Sequence, residues 1–165
     1  MGGLSRFNSL AVADAEGELL ACCAAPAWAR EVVAGRPYRD REALLNAANA
    51  ALDRLEWAQL EAALAAHPRI GQPPAGADRE AAWSRREQAG VATADAPTRA
   101  ALAEANRAYE ERFGHVFLIF ASGRTDAELL AAARDRLGND DTTERRVVRA
   151  ELAKIALLRL ERLLA

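Results

Sequence analysis

Residues 142–164 read TTERRVVRAELAKIALLRLERLL, and the build of this stretch decides the fold class. Alanine, leucine, glutamate, lysine and arginine, which lose least on entering a helix, fill most of it. At about 100° per residue, Val148, Leu152, Ile155 and Leu163 fall on one stripe, as a helix packed by one face requires. The same residue types dominate the whole 165-residue chain, while β-branched and aromatic residues are sparse. The expected fold is therefore all-α.

Upstream, Thr125 with Glu128 and Asp141 with Glu144 have the spacing of N-terminal capping boxes, which predicts helices over 126–137 and 142–164. The apolar run 116–121, set between Gly114 and Gly123, reads as a short extended or irregular buried connector before these last two helices. A helix over 97–113 places Leu102, Asn106, Tyr109 and Phe113 on one face and ends at Gly114. Earlier helical stretches cover 14–25, 27–34, 40–52, 56–66 and 83–89, with Pro26, Gly35-Arg36-Pro37 and Pro68 as stops. Gln72-Pro73-Pro74-Ala75-Gly76-Ala77-Asp78 is the longest loop signal. With no internal repeat and no linker, residues 1–165 are expected to form a single-domain helical bundle.

Hydrophobic residues make up 51% of the chain, enough for a core, and a net charge of −2 offers no excess of cations for a polyanion. Nucleic acid is not an expected partner. No apolar run reaches the roughly 20 residues of a membrane span, and the N-terminus lacks the apolar core of a signal peptide. Cys22 and Cys23 are adjacent, which strains a bridge between them, so a reducing, cytoplasmic setting is expected. His67, His115 and the two cysteines show no zinc spacing, and the chain lacks a phosphate loop and a nucleophile elbow. Trp28, Trp57 and Trp83 read as core residues.

Polar residues in apolar places supply the candidate chemistry. Arg159 falls near the centre of the apolar stripe of the last helix. Its stem could pack while its head snorkels or pairs with a core carboxylate, or its fork could floor an anion-binding pocket. His67 continues the Trp57, Leu60, Leu64 spacing and precedes Pro68, which drives it out of the helical region at a helix C-terminus. It reads either as an acid on an apolar rim or as a hydrogen-bonded structural histidine. Ser84-Arg85-Arg86-Glu87-Gln88 has capping-box spacing, and a helix starting there would also present Ser84, Glu87, Gln88 and unpaired N–H groups to one spot. Ala121-Ser122-Gly123, ahead of a helix, offers a second set of N–H donors.

Read in order, Phe7-Asn8, Cys22-Cys23, Trp28-Ala29, Arg36-Pro37, His67-Pro68-Arg69-Ile70-Gly71, Ser84-x-x-Glu87-Gln88, Asn106-x-x-Tyr109, Phe113-Gly114, Ala121-Ser122-Gly123-Arg124 and Lys154-Ile155-x-x-x-Arg159-Leu160 resemble the OHCU decarboxylase family over nearly the whole chain. The resemblance implies an all-α, cofactor-free, metal-free homodimer. It would convert 2-oxo-4-hydroxy-4-carboxy-5-ureidoimidazoline into (S)-allantoin and carbon dioxide in urate degradation. It assigns His67 as proton donor, Glu87 as its acidic partner and Arg159 as the inward cation, with Glu87 or the bound anion expected among the partners of Arg159. Pro68, Ser84, Arg85, Arg86, Glu87 and Gln88, with Ile119, Phe120, Ala121, Ser122 and Gly123, would line the substrate. Two other readings stand beside it: a catalytically silent helical dimer that scaffolds urate-pathway enzymes, and a lyase of the same mechanism acting on another ring acid.

Overall fold

The computed structural model describes residues 2–72, 74, 76–91 and 94–165. Among these the chain forms α1 (Gly3–Ser9), α2 (Val12–Cys22), α3 (Pro26–Ala34), α4 (Arg41–Asp53), α5 (Trp57–Leu64), α6 (Arg79–Glu87), α7 (Ala96–Phe113), α8 (Asp126–Arg136) and α9 (Asp141–Leu164), with a 3₁₀ turn at Ala89–Val91. No strand occurs among the described residues, so the all-α expectation holds. Within the loop expected at 72–78, Pro73 and Ala75 lie outside the described residues.

Local chemistry sets the helix ends. Asp40, Asp78, Asp95 and Thr125 each precede a helix with extended backbone and accept an N–H three residues on, from Ala43, Ala81, Thr98 and Glu128. Pro26 opens α3, where its missing N–H costs nothing. Gly114 closes α7 in the left-handed region at φ 79°, its N–H bonded to the Glu110 carbonyl.

Two expected starts are corrected. Ser84 does not cap a helix: Asp78, free of the preceding loop, takes the Ala81 N–H at 2.7 Å and starts α6 a turn and a half earlier. Ser84 to Gln88 therefore lie at the helix's C-terminal end, and the Gln88 N–H is spent on the Ser84 carbonyl at 3.0 Å. Asp141 does not cap α9 either. Asp140 accepts the Thr143 N–H at 2.7 Å, a bond that lowers the Asp140 pKa, and this frees the Glu144 side chain to turn inward. Four helices also stop short of the expected bounds, α2 at Cys22, α5 at Leu64, α6 at Glu87 and α8 at Arg136.

The chain clusters into two compact units, Met1–Ala63 with Leu152–Ala165, and Leu64–Glu151. In the first, α2 packs on α3 and α3 on α4. Phe7, Leu19, Trp28, Leu44 and Leu52 are buried there, and the Trp28 indole donates to the Ala48 carbonyl at 2.9 Å. From α9 this unit receives Leu152, Ile155, Leu160 and Leu163, all buried, with Arg159 among them. In the second unit α7 packs on α8 over a core that includes Ile70, Leu102, Tyr109, Phe117, Ile119, Ala121 and Leu129. Phe117, Ile119 and Ala121 alternate into this core, as an extended segment requires, so the connector over 116–121 is as expected. Trp28 and Trp83 are core residues and Trp57 is half-buried.

The second unit also buries an ionic network. Glu144, 0% exposed, accepts the Tyr109 hydroxyl at 2.6 Å and Arg136 Nε at 2.7 Å on one oxygen, and Asn139 Nδ2 at 3.0 Å on the other. Arg136 Nη2 lies 2.5 Å from the first oxygen without hydrogen-bond geometry, and Nη1 donates to the Leu118 carbonyl at 2.6 Å. The guanidinium also stands over the Phe117 ring, 4.7 Å from its centroid. Burial, reinforced by the Glu144 carboxylate, raises the Tyr109 phenol well above its ordinary pKa, so it stays a donor. Glu144→Ala would leave the guanidinium of Arg136 buried without its carboxylate. A loss of about 3–5 kcal/mol is expected, read as a fall in urea midpoint at unchanged slope. A midpoint within experimental error of wild type would show the network to be dispensable.

Candidate active site

His67 lies three residues beyond the end of α5, half-buried, its N–H donated to the Leu64 carbonyl at 3.0 Å. Pro68, also half-buried, stops the chain from returning to helix there. The following Arg69-Ile70-Gly71 is pinned from two sides. The Gln88 side chain accepts the Gly71 N–H at 3.0 Å and donates to the Arg69 carbonyl at 3.3 Å, while Asn106 Nδ2 donates to the Ile70 carbonyl at 2.7 Å. Gly71 sits at φ 89°, a left-handed conformation that favours glycine. Gln88, at the C-terminus of α6, thus fixes the loop that carries His67 and Pro68. Its role is to shape the site by side-chain amide bonds, which take the place of the N–H donation expected of this segment.

One residue before Gln88, Glu87 is 7% exposed and lines a cleft of about 400 Å³ with Arg86, Ala89, Gly90, Gly123, Arg124, Thr125 and Asp126. Two stretches far apart in sequence, the end of α6 and the entry to α8, thereby face each other. They meet closely because Gly90 has no side chain: a Cβ there would collide with the Arg124 carbonyl. Arg86 and Arg124 give the cleft cationic groups, and Glu87 and Asp126 carboxylates. Such a cleft, lined by groups of both signs, suits a small polar ligand.

The remaining candidates are placed as follows. Ser84 is buried on α6. Arg85 is exposed and donates to the Pro74 carbonyl at 2.9 Å. Ile119 and Ala121 point into the core, so only their backbone could serve a ligand, while Phe120 and Ser122 are half-buried and Gly123 is exposed. The Phe120 N–H is already engaged, donated to Glu151 Oε1 at 3.3 Å. Arg159 belongs to the other unit, on α9, and is 6% exposed, so its head does not snorkel to water. Its positive charge opposes the effect of burial on Cys23, whose thiol is nevertheless pushed up to about 12. Cys23 is therefore a neutral, buried thiol; it and Cys22 are both unbridged. Among the described residues no group of three or more His, Cys, Asp or Glu could hold a metal. No helix among them is long and apolar enough to cross a membrane.

Arg136 and Glu151 were not singled out by the sequence reading, Glu144 was read only as a capping residue, and Arg124 only as part of the family motif. A signal was present for three of them: Leu129, Ala133 and Arg136 are spaced by four and three on α8, and Glu144 and Glu151 flank Val148 on the stripe of α9.

A family model described as OHCU decarboxylase matches residues 8–161. An Amia calva 2-oxo-4-hydroxy-4-carboxy-5-ureidoimidazoline decarboxylase is 33% identical over 82% of this chain and 79% of its own. An Arabidopsis thaliana uric acid degradation bifunctional protein, TTL, is 32% identical over 93% of this chain, which spans about half (48%) of that relative's length. Among solved structures, an OHCU decarboxylase crystallised in the presence of (S)-allantoin superposes with a TM-score of 0.75 at 31% identity, over 89% of this chain and 96% of that one. An (S)-allantoin synthase shares the fold at a TM-score of 0.75 and 18% identity, over 98% of this chain and 53% of that one.

Proposed function

This chain belongs to the OHCU decarboxylase family, and from that premise we propose that it decarboxylates 2-oxo-4-hydroxy-4-carboxy-5-ureidoimidazoline to (S)-allantoin and carbon dioxide. The observation that supports this most directly is the double use of the α6 terminus: Glu87 enters the cleft while Gln88 fixes the loop bearing His67. A carboxylate is costly to bury, and its place at such a cleft favours an enzyme over a silent scaffold. The family model runs through both compact units, which supports reading residues 1–165 as one functional domain.

The substrate makes a cofactor unnecessary. Its carboxylate and hydroxyl share one ring carbon, and the neighbouring ureido-bearing carbon belongs to an imine. When the carbon–carboxylate bond breaks, its electron pair forms a double bond to that neighbour, and the imine pair moves onto nitrogen, which takes a proton. The intermediate then loses its hydroxyl proton, becoming a ring carbonyl, and gains one on the ureido-bearing carbon. One proton is consumed overall for each carboxylate lost as carbon dioxide. Delivery from a fixed acid on one face sets the S configuration, the role proposed for His67 with Glu87 as its acidic partner. Arg159 would meet oxygens on which charge develops, since an arginine that clamped only the departing carboxylate would favour the ground state. The backbone near Gly123 would fix the ring's orientation.

The reading extends to a homodimer, as the family resemblance implies, and to a cytoplasmic setting, which two unbridged buried cysteines suit. The deciding experiment generates the ureidoimidazoline in situ from urate with the upstream enzymes and follows circular dichroism. Spontaneous decay gives racemic allantoin, so a rising S signal that scales with protein is expected. A signal no different from the protein-free control would overturn the proposed activity; turnover of another ring acid in its place would retain the mechanism and change the substrate.

A further inference from the structure

We infer that Arg124, anchored by the buried Glu151, is a positioning residue that holds the Phe120–Gly123 backbone in the conformation the reaction needs. The inference rests on the activity proposed above and adds residues to which that activity assigns no role.

Four interactions meet at Arg124. Its backbone N–H donates to the Ala121 carbonyl at 3.1 Å, closing a turn. Its Nε donates to the Phe120 carbonyl at 3.0 Å, and its Nη2 stands 4.0 Å from Glu151 Oε1. Its own carbonyl packs against Gly90, where no side chain would fit. Glu151 is 5% exposed and accepts the Phe120 N–H with the same oxygen that faces Arg124. The N–H and the carbonyl of Phe120 are thus held by one carboxylate and one cation.

The consequence falls on Ser122 and Gly123. Gly123 sits at φ 77°, while among the described residues no non-glycine residue has a positive φ; with the Arg124 N–H on the Ala121 carbonyl this makes 121–124 a type II turn with glycine at its third position. The turn's own hydrogen bond leaves the N–H groups of its two central residues unused. Phe120 is excluded as a donor because Glu151 has it, so the turn presents the Ser122 and Gly123 amides as its donors, and Gly123 lines the cleft opposite Glu87. Arg124 and Glu151 decide where these amides point. A ring held by displaced amides would present the wrong face to the acid, so the role predicts errors in stereochemistry as well as in rate.

The test uses the full chain with Arg124→Met, Arg124→Lys, Glu151→Ala and Glu151→Gln. Steady-state kinetics, enantiomeric excess of allantoin, melting temperature and amide exchange at Phe120 and Arg124 are measured together. For Arg124→Met a roughly 10- to 100-fold fall in kcat/KM is expected, carried mainly by kcat, with reduced enantiomeric excess. Lys, which lacks the planar fork, should recover only part of this. Glu151→Gln keeps an acceptor for the Phe120 N–H and should retain more stereoselectivity than Glu151→Ala. Exchange of the hydrogen-bonded Phe120 and Arg124 amides should quicken at least about tenfold in Arg124→Met, with α7 and α9 still protected. Unchanged exchange there overturns the positioning role whether or not the protein turns over substrate. Losses of rate and melting temperature at wild-type enantiomeric excess also overturn it, since they would mark a purely structural arginine. A wild-type protein without stereospecific activity, but with the expected exchange behaviour, would instead overturn the proposed reaction and leave Arg124 as the residue that orders this turn.

Discussion

His67→Asn is expected to abolish most of the stereospecific rate while the protein stays folded. Asparagine tolerates the non-helical backbone beyond a helix C-terminus, and the loop that follows is held by Gln88 and Asn106, neither of which the substitution touches. The fold therefore loses little. The chemistry loses its acid: a positioned proton donor typically contributes ~10²- to 10⁴-fold, and an amide cannot replace it at neutral pH. Allantoin that still forms should approach the racemate of spontaneous decay, because protonation from water favours neither face. Melting temperature and the circular dichroism progress curve, taken from one sample, separate the two effects. A folded variant that turns over at the wild-type rate would remove His67 from the mechanism.

The second large effect is expected at Arg159. The side chain is 6% exposed on a stripe whose other members, Val148, Leu152, Ile155 and Leu163, are buried apolar residues. A guanidinium in such a place is costly to desolvate unless its partners repay the cost. Arg159→Met keeps the apolar stem, and its melting temperature, taken beside its rate, shows how much of the arginine's contribution is structural. If the arginine meets charge as it develops on the substrate, Met should retain almost no activity, a loss of order 10²- to 10³-fold, which is the usual consequence of removing one such donor. Arg159→Lys keeps the charge without the planar two-pronged contact and should recover only part of the rate. Normal turnover by Arg159→Met would make the arginine a structural residue and leave the proposed active site without its cation.

The inward position of Arg159 was legible because the stripe of α9 is long and regular, and a period of 3.6 residues needs no knowledge of what lies opposite. The extended connector was legible for a similar reason, since an apolar run of that length between two glycines has few alternatives. His67 was legible as the residue continuing the α5 face into a proline stop, although the helix proper ends sooner, at Leu64. The grouping of Ser84, Glu87 and Gln88 was also apparent, but not which end of a helix they occupy. Ser84 and Asp78 are both acceptable caps by residue type, and it is Asp78 that accepts the N–H three residues on.

Sequence alone thus determined the helical class, the stripes and most helix ends, all of which follow from interactions within a few residues along the chain. Tertiary structure decided the rest. That Glu144 faces Arg136 and Tyr109 depends on α7, α8 and α9 converging within one unit, and that Gly90 admits the Arg124 carbonyl depends on two loops meeting across a cleft. Contacts of this kind join residues on different elements, Tyr109 and Glu144 being 35 positions apart, and no local period encodes them. Their signature in the sequence is only a polar or small residue where a large apolar one was expected, and what that residue is for becomes apparent once its partner has been brought to it by the packing of the core.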